Sequence, residues 1–206
     1  MNIKNIIFDL GGVLIDWNPK YVYRQIFNTE KEVDWFLENI TTHDWNIQQD
    51  AGRLLSDATN ALVVKHPKWA SEIQAFYGRW EEMLGGPIEE TVALLKYLIS
   101  LKQYRILALT NWSHETFPVA IERYGDFLNL FEGILVSGVE KMKKPDHEIY
   151  ELMLSRYDLI ADESIFIDDS AKNIQGAKEC GIHGIVCKSP SQLKTDLSSA
   201  LGISLS

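Results

Sequence analysis

Five short runs of mostly aliphatic and aromatic residues recur along the chain: Ile6–Phe8, Arg105–Leu109, Gly133–Val136, Ser164–Ile167 and Gly184–Cys187. None alternates polar with apolar positions, a pattern that predicts parallel strands buried on both faces. Between the later runs, apolar residues return at three-to-four spacing over Ile88–Ser100, His114–Tyr124, His147–Tyr157 and Ala171–Cys180, and Gly181 supplies a C-terminal stop for the last. Strand and helix thus alternate from residue 88 onward, which predicts βαβ units with right-handed crossovers and hence a doubly wound, Rossmann-like α/β sheet.

One stretch breaks the rhythm. From Trp17 to Leu84 the periodicity is helical and aromatic residues are dense, with Tyr23, Phe36, Trp45 and Phe76 among them. This predicts a helical insertion after the first strand, with Gly85-Gly86-Pro87 as its return hinge. The expected division is an α/β core of residues 1–16 and 86–206 and a helical cap of residues 17–85. Aromatics at helical spacing are ordinary core for such a subdomain. Trp45, Gln48 and Gln49, just before Gly52, fall where a substrate-reading loop would lie if the cap closes over the core.

Composition narrows the class. A chain of 206 residues with 46% hydrophobic and 24% charged residues can bury a sizeable core, so disorder and fibrous repeats drop out. The formal charge of -9 argues against an electrostatic grip on nucleic acid, which needs a basic face. No stretch approaches the length of a membrane span, and the opening MNIKNIIF has no cleavage-type sequence after it, so the expected location is the cytoplasm. Cys180 and Cys187 are then expected to be reduced, and two cysteines alone argue against a cysteine zinc site. The oligomeric state is left open.

Ligands of open α/β sheets bind beyond the carboxyl ends of the strands. There the sequence places Asp9 after the first run, Thr110-Asn111 after the second, Lys144 in the loop after the third and Asp168-Asp169 after the fourth. Two carboxylates about 4 Å apart repel by roughly 4 kcal/mol at an effective dielectric near 20, so three in one crevice require compensation. Lys144 offsets one charge, and a hard divalent cation such as Mg²⁺ suits the remaining oxygen ligands.

The segments IIFDLGGVLID (Ile6 to Asp16), ILALTN (Ile106 to Asn111), KKP (Lys143 to Pro145) and IFIDDSAKNIQGAKECGI (Ile165 to Ile182) resemble, in order and spacing, the four motifs of the haloacid dehalogenase superfamily. The insertion resembles the helical cap of one of its subgroups. Residue by residue, the resemblance implies that Asp9 is a nucleophile forming an aspartyl-phosphate, that Thr110 and Asn111 hold phosphoryl oxygens, and that Lys144 steadies both nucleophile and phosphoryl group. It also implies that Asp9, Asp168, Asp169 and the Gly11 carbonyl hold Mg²⁺, and that Asn173 orders the loop around the paired acids. The implied activity is a phosphatase acting on a small phosphorylated metabolite, a sugar phosphate above all. One position departs from the pattern: phosphatases of the superfamily usually carry an acid two residues after the nucleophile, and here Gly11 stands there. Sugar-1-phosphate phosphatases of the superfamily resemble this chain in that respect. The proton can come from water, from a cap residue such as His43 or Asp50, or be dispensable for a good leaving group. Two alternatives stand beside this reading: a metal-independent 2-haloacid dehalogenase, against which the Asp168-Asp169 pair argues, and a regulatory module that binds phosphate without turnover.

Overall fold

In the computed structural model, which describes residues 2–205, five of the strands form one parallel sheet. They are β1 (Asn5–Phe8), β4 (Arg105–Thr110), β5 (Gly133–Val136), β6 (Ser164–Asp168) and β7 (His183–Val186), in the spatial order β5-β4-β1-β6-β7. β1 is central, its Ile7 opposite Leu107 on one side and Phe166 on the other. Successive residues point to opposite faces: Ile6 and Phe8 join one hydrophobic cluster and Ile7 the other. Both faces are covered, which is why the strands lack polar alternation. Helices α6 (Glu89–Ser100), α7 (Phe117–Leu128) and α11 (Pro190–Leu201) pack on one face, and α9 (His147–Arg156) and α10 (Ala171–Glu179) on the other. This is the doubly wound α/β class that the alternation predicts.

Several boundaries differ from the sequence pattern. Gly85-Gly86-Pro87 is not a bare hinge: β3 (Leu84–Pro87) pairs antiparallel with β2 (Ile15–Trp17), so the chain leaves and re-enters the core along one two-stranded ribbon. Glycine is required at residue 85, because a Cβ there would lie 2.3 Å from the Asp16 carboxylate, which also accepts from the Tyr21 hydroxyl. α7 begins three residues later than its periodicity suggests. The residues before it are held as a loop, with the Trp112 N–H donating to the Ser137 hydroxyl, and Pro118 occupies the first turn where its missing N–H costs nothing. α11 was not anticipated; Ser189 caps its start and Gly202, at φ 67°, ends it.

Between β2 and β3 the chain is entirely helical: α1 (Lys20–Ile26), α2 (Glu30–Asn39), α3 (His43–Asp50), α4 (Leu55–Lys65) and α5 (Ala70–Gly78), with two short 3₁₀ turns. Tyr23, Phe36 and Phe76 form its buried centre, with Tyr23 and Phe36 ring centroids 4.9 Å apart. Trp45 packs edge-on against Phe76, and Gln49 is wholly buried, donating to the Tyr77 hydroxyl, so these two belong to the core of the insert. Trp80, at its end, meets Trp112 of the α/β core with centroids 5.6 Å apart. Among the described residues no helix is long and apolar enough to cross a membrane.

Candidate active site

The strands β1, β4 and β6 end side by side, which brings Asp9, Thr110 and Asp168 to the same edge of the sheet. Asp9 continues the β1 ladder, its N–H donating to the Ile167 carbonyl, and its Oδ1 accepts from the Leu10 N–H at 2.7 Å. Lys144 arrives from the far side of β4, on the loop that follows the short helix α8 (Ser137–Glu140). Its ammonium is 0% exposed, 2.9 Å from Asp9 Oδ1 and 2.6 Å from Asp168 Oδ2, and it also donates to the Leu109 carbonyl at 3.1 Å. Of the lysine run in this loop, Lys144 is therefore the one that is buried.

Lys144 is held by its backbone as well. The Asn111 side chain accepts from the Lys144 N–H at 2.8 Å and donates to the Lys144 carbonyl at 3.0 Å, a two-bond clamp. Asp168 is saturated: besides Lys144, its oxygens accept from the Ser170 N–H, and the Asn173 Nδ2 amide donates to both of them at 3.0 and 3.1 Å. Asn173 thus orders the paired acids directly. Thr110 is buried with its hydroxyl unpartnered, a donor and acceptor left for something that is not protein.

The charges are unequal in their comfort. Burial lifts the Asp9 carboxyl; Lys144 and the Leu10 N–H pull it back while the neighbouring Asp168 charge pushes it further, leaving it at about 7. Burial opposes the Lys144 charge, yet Asp168 and Asp9 outweigh it and hold its pKa above the ordinary lysine value. Burial and the Asp168 charge raise Asp169. One cation among three carboxylates leaves the cluster net negative. Asp9, Asp168 and Asp169 offer oxygens all within 4.8 Å of one another, an all-oxygen set of the kind a hard divalent cation takes. Gly12, at φ 73°, makes this approach possible, for a Cβ there would fall 2.5 Å from an Asp169 oxygen. Gly11 next to it has open space on its Cβ side, with nothing within 4 Å.

The insert reaches the same edge through the end of α3. Asp50 is half-buried: its carboxylate accepts from the Asn46 amide and lies beside the Ser113 N–H, and its carbonyl accepts from the Ser137 hydroxyl. Glu115 accepts from the Leu55 N–H at the start of α4. Ser113, Glu115 and Ser137 were not anticipated from sequence. Ser137 follows β5 directly, so the strand-end rule alone would have found it; the other two show only as a polar loop. His147 and His183 are surface residues paired with Glu179 and Asp162, and His43 is exposed.

The matching family model, haloacid dehalogenase-like hydrolase, covers residues 3–181, and the chain belongs to that family. A sesquiterpene phosphatase, astK, from Aspergillus oryzae is 31% identical over 183 residues, spanning 88% of each chain. A D-ribitol-5-phosphate phosphatase from Bacteroides thetaiotaomicron is 28% identical over 87% of this chain and 89% of its own length. Among solved structures, a family enzyme from the same bacterium, an Asp-to-Ala mutant in complex with magnesium and inorganic phosphate, superposes with a TM-score of 0.69 at 22% identity, over 93% of this chain and 98% of that one.

Proposed function

We propose that this protein is a Mg²⁺-dependent phosphatase of the cytoplasm, hydrolysing a small phosphorylated metabolite, a sugar phosphate by preference, through an aspartyl-phosphate. The observation that carries the reading is the buried Lys144 ammonium bridging Asp9 and Asp168 beside the unpartnered Thr110 hydroxyl. A dehalogenase has no use for paired acids that would repel a carboxylate substrate, and the relatives named as phosphatases lean the same way.

In this reading Asp9 Oδ1 is fixed by Leu10 and Lys144, which leaves Oδ2 to attack phosphorus in line with the departing oxygen. Thr110, with the free amide hydrogen of Asn111, holds phosphoryl oxygens, while the clamp from Asn111 sets the height of Lys144. Lys144 neutralises charge gathering on the transferring group. Asp9, Asp168, Asp169 and the Gly11 carbonyl would hold Mg²⁺, with Asp168 contributing least because its lone pairs are engaged. The ion, when bound, supplies Lewis-acid stabilisation of the phosphoryl oxygens. Residues 17–85 act as the cap that excludes water.

The test is phosphate release from a panel of sugar phosphates, nucleotides and an aryl phosphate, with Mg²⁺ and with EDTA, beside halide release from a 2-haloacid. Phosphate release that EDTA abolishes is the expected result; halide release indifferent to EDTA would make the protein a dehalogenase. Gly12→Ala gives a finer check. A side chain at φ 73° costs about 1–2 kcal/mol and displaces Asp169, so the Mg²⁺ concentration for half-maximal rate should rise at least tenfold. An unchanged Mg²⁺ requirement would remove Asp169 from the ligand set.

A further inference from the structure

Hydrolysis of an alkyl phosphate needs a proton delivered to the leaving oxygen, and residue 11, two positions after Asp9 on the same loop, is a glycine with no side chain to supply it. Asp16 cannot supply one: it is engaged by Tyr21 in the β2–β3 ribbon. His43 is exposed at the opposite end of α3 from Asp50. Asp50 is placed otherwise. Its carbonyl accepts from the Ser137 hydroxyl and its carboxylate lies beside the Ser113 N–H, two residues beyond Asn111, so the end of α3 is pinned against the loops after β4 and β5 that shape the phosphoryl site. On its other side Asn46 donates to it at 3.2 Å, and Asn46 is itself fixed by the Tyr77 hydroxyl at 2.9 Å.

We propose that Asp50 is the proton-transfer residue of this enzyme, supplied from the insert in place of the acid absent at Gly11. The assignment rests on the phosphatase reading. As Asp9 Oδ2 bonds to phosphorus and the P–O bond to the leaving group breaks, the Asp50 carboxylic acid gives its proton to the departing alkoxide, which leaves as an alcohol. The Asp50 carboxylate then takes a proton from the water that attacks the aspartyl-phosphate, the P–O bond to Asp9 breaks, and inorganic phosphate leaves with Asp50 reprotonated.

The groups facing Asp50 permit both roles. Burial lifts its carboxyl, and the Ser113 N–H and the Lys144 charge moderate the rise, to about 7. Tyr77, packed beside it from α5, is held neutral by burial. Lys141 lies against Gly52 two residues further on, and His43 and Asp44 sit at the far end of α3. At neutral pH, acid and base forms of Asp50 are therefore both populated, the condition under which general acid–base catalysis is most effective.

Asp50→Asn should separate the steps. With glycerol phosphate, whose alkoxide needs the proton, turnover should fall by about 10²- to 10⁴-fold at unchanged KM. With p-nitrophenyl phosphate, whose leaving group needs none, the first nitrophenolate should appear in a burst at the wild-type rate, followed by slow steady turnover as the aspartyl-phosphate waits for a base. Adding Gly11→Asp, into space where a Cβ meets no atom within 4 Å, should return turnover on glycerol phosphate at least tenfold. Loss of the burst as well, or retained turnover on glycerol phosphate, overturns the assignment. Should the single variant not fold, the wild type still decides: turnover on glycerol phosphate must fall above neutral pH while the burst rate does not. A wild-type protein that releases phosphate from neither ester with Mg²⁺ overturns the phosphatase reading and Asp50 with it.

Discussion

Asp9→Asn is expected to abolish phosphate release, by roughly 10⁴-fold or more as for loss of other catalytic nucleophiles, while leaving the fold intact. The amide keeps the volume of the carboxylate, and its oxygen can still accept from the Leu10 N–H and Lys144 where Asp9 Oδ1 does now. What disappears is the second anionic oxygen, the one free to attack. The decisive measurement is single-turnover phosphate release on substrate-saturated protein, with circular dichroism to show that the helices and sheet persist. A variant that turns over at the wild-type rate would place the attacking group elsewhere.

Lys144→Met is expected to carry the largest stability cost of any single change in the site. The ammonium is fully buried between two carboxylates, and its removal leaves them facing each other with no cation between. Breaking a buried ion pair from one side typically costs about 3–5 kcal/mol, which in a chain of this size lowers Tm by roughly 10 °C. The deficit has a sign in pH. Asp9 already has its carboxyl raised to about 7 in the folded state, with Lys144 among the influences holding it down. A raised carboxyl contributes stability that is present below its unfolded pKa and is lost as pH rises through the folded one. Without Lys144 the folded pKa moves higher still, so the variant should approach wild-type stability near pH 5 and fall furthest behind near pH 8. Urea unfolding in EDTA at those two pH values measures it; equal deficits at both would mean that Lys144 matters through packing against Phe166 rather than through charge.

The strands and the residues at their ends were legible in the sequence because two local signals coincide there: a continuous apolar run, set by burial on both faces, and a polar residue where the run stops. Asp9, Thr110, Asn111 and Asp168 all announce themselves this way. The Asn111 clamp on Lys144 does not, because it joins residues 33 apart and uses the backbone of the partner, which no side-chain pattern encodes. Nor does the β2–β3 ribbon, whose three- and four-residue strands are too short for a period to show. The start of α7 lies later than its periodicity for a similar reason: the Trp112 N–H is bound by Ser137 at the end of the neighbouring strand β5, and that contact outweighs the local helical preference of His114 and Glu115. Asp50 was only one of two cap residues within reach of the problem. What separates it from His43 is the Ser137 hydrogen bond to its carbonyl and the Ser113 N–H beside its carboxylate, both visible only once β4 and β5 lie side by side.

The contact between Trp80 and Trp112 gives the protein an optical property. Five of the six tryptophans, Trp17, Trp35, Trp45, Trp69 and Trp80, lie on the stretch from the ribbon through the insert, and Trp112 is the one indole on the α/β core, against which Trp80 rests. Emission from Trp112 therefore senses whether the two halves touch, and excitation transfer between the pair depends steeply on their separation. Movement of the insert away from the site exposes Trp112 to water and shifts its emission to the red, so that binding and release can be followed in the unlabelled protein.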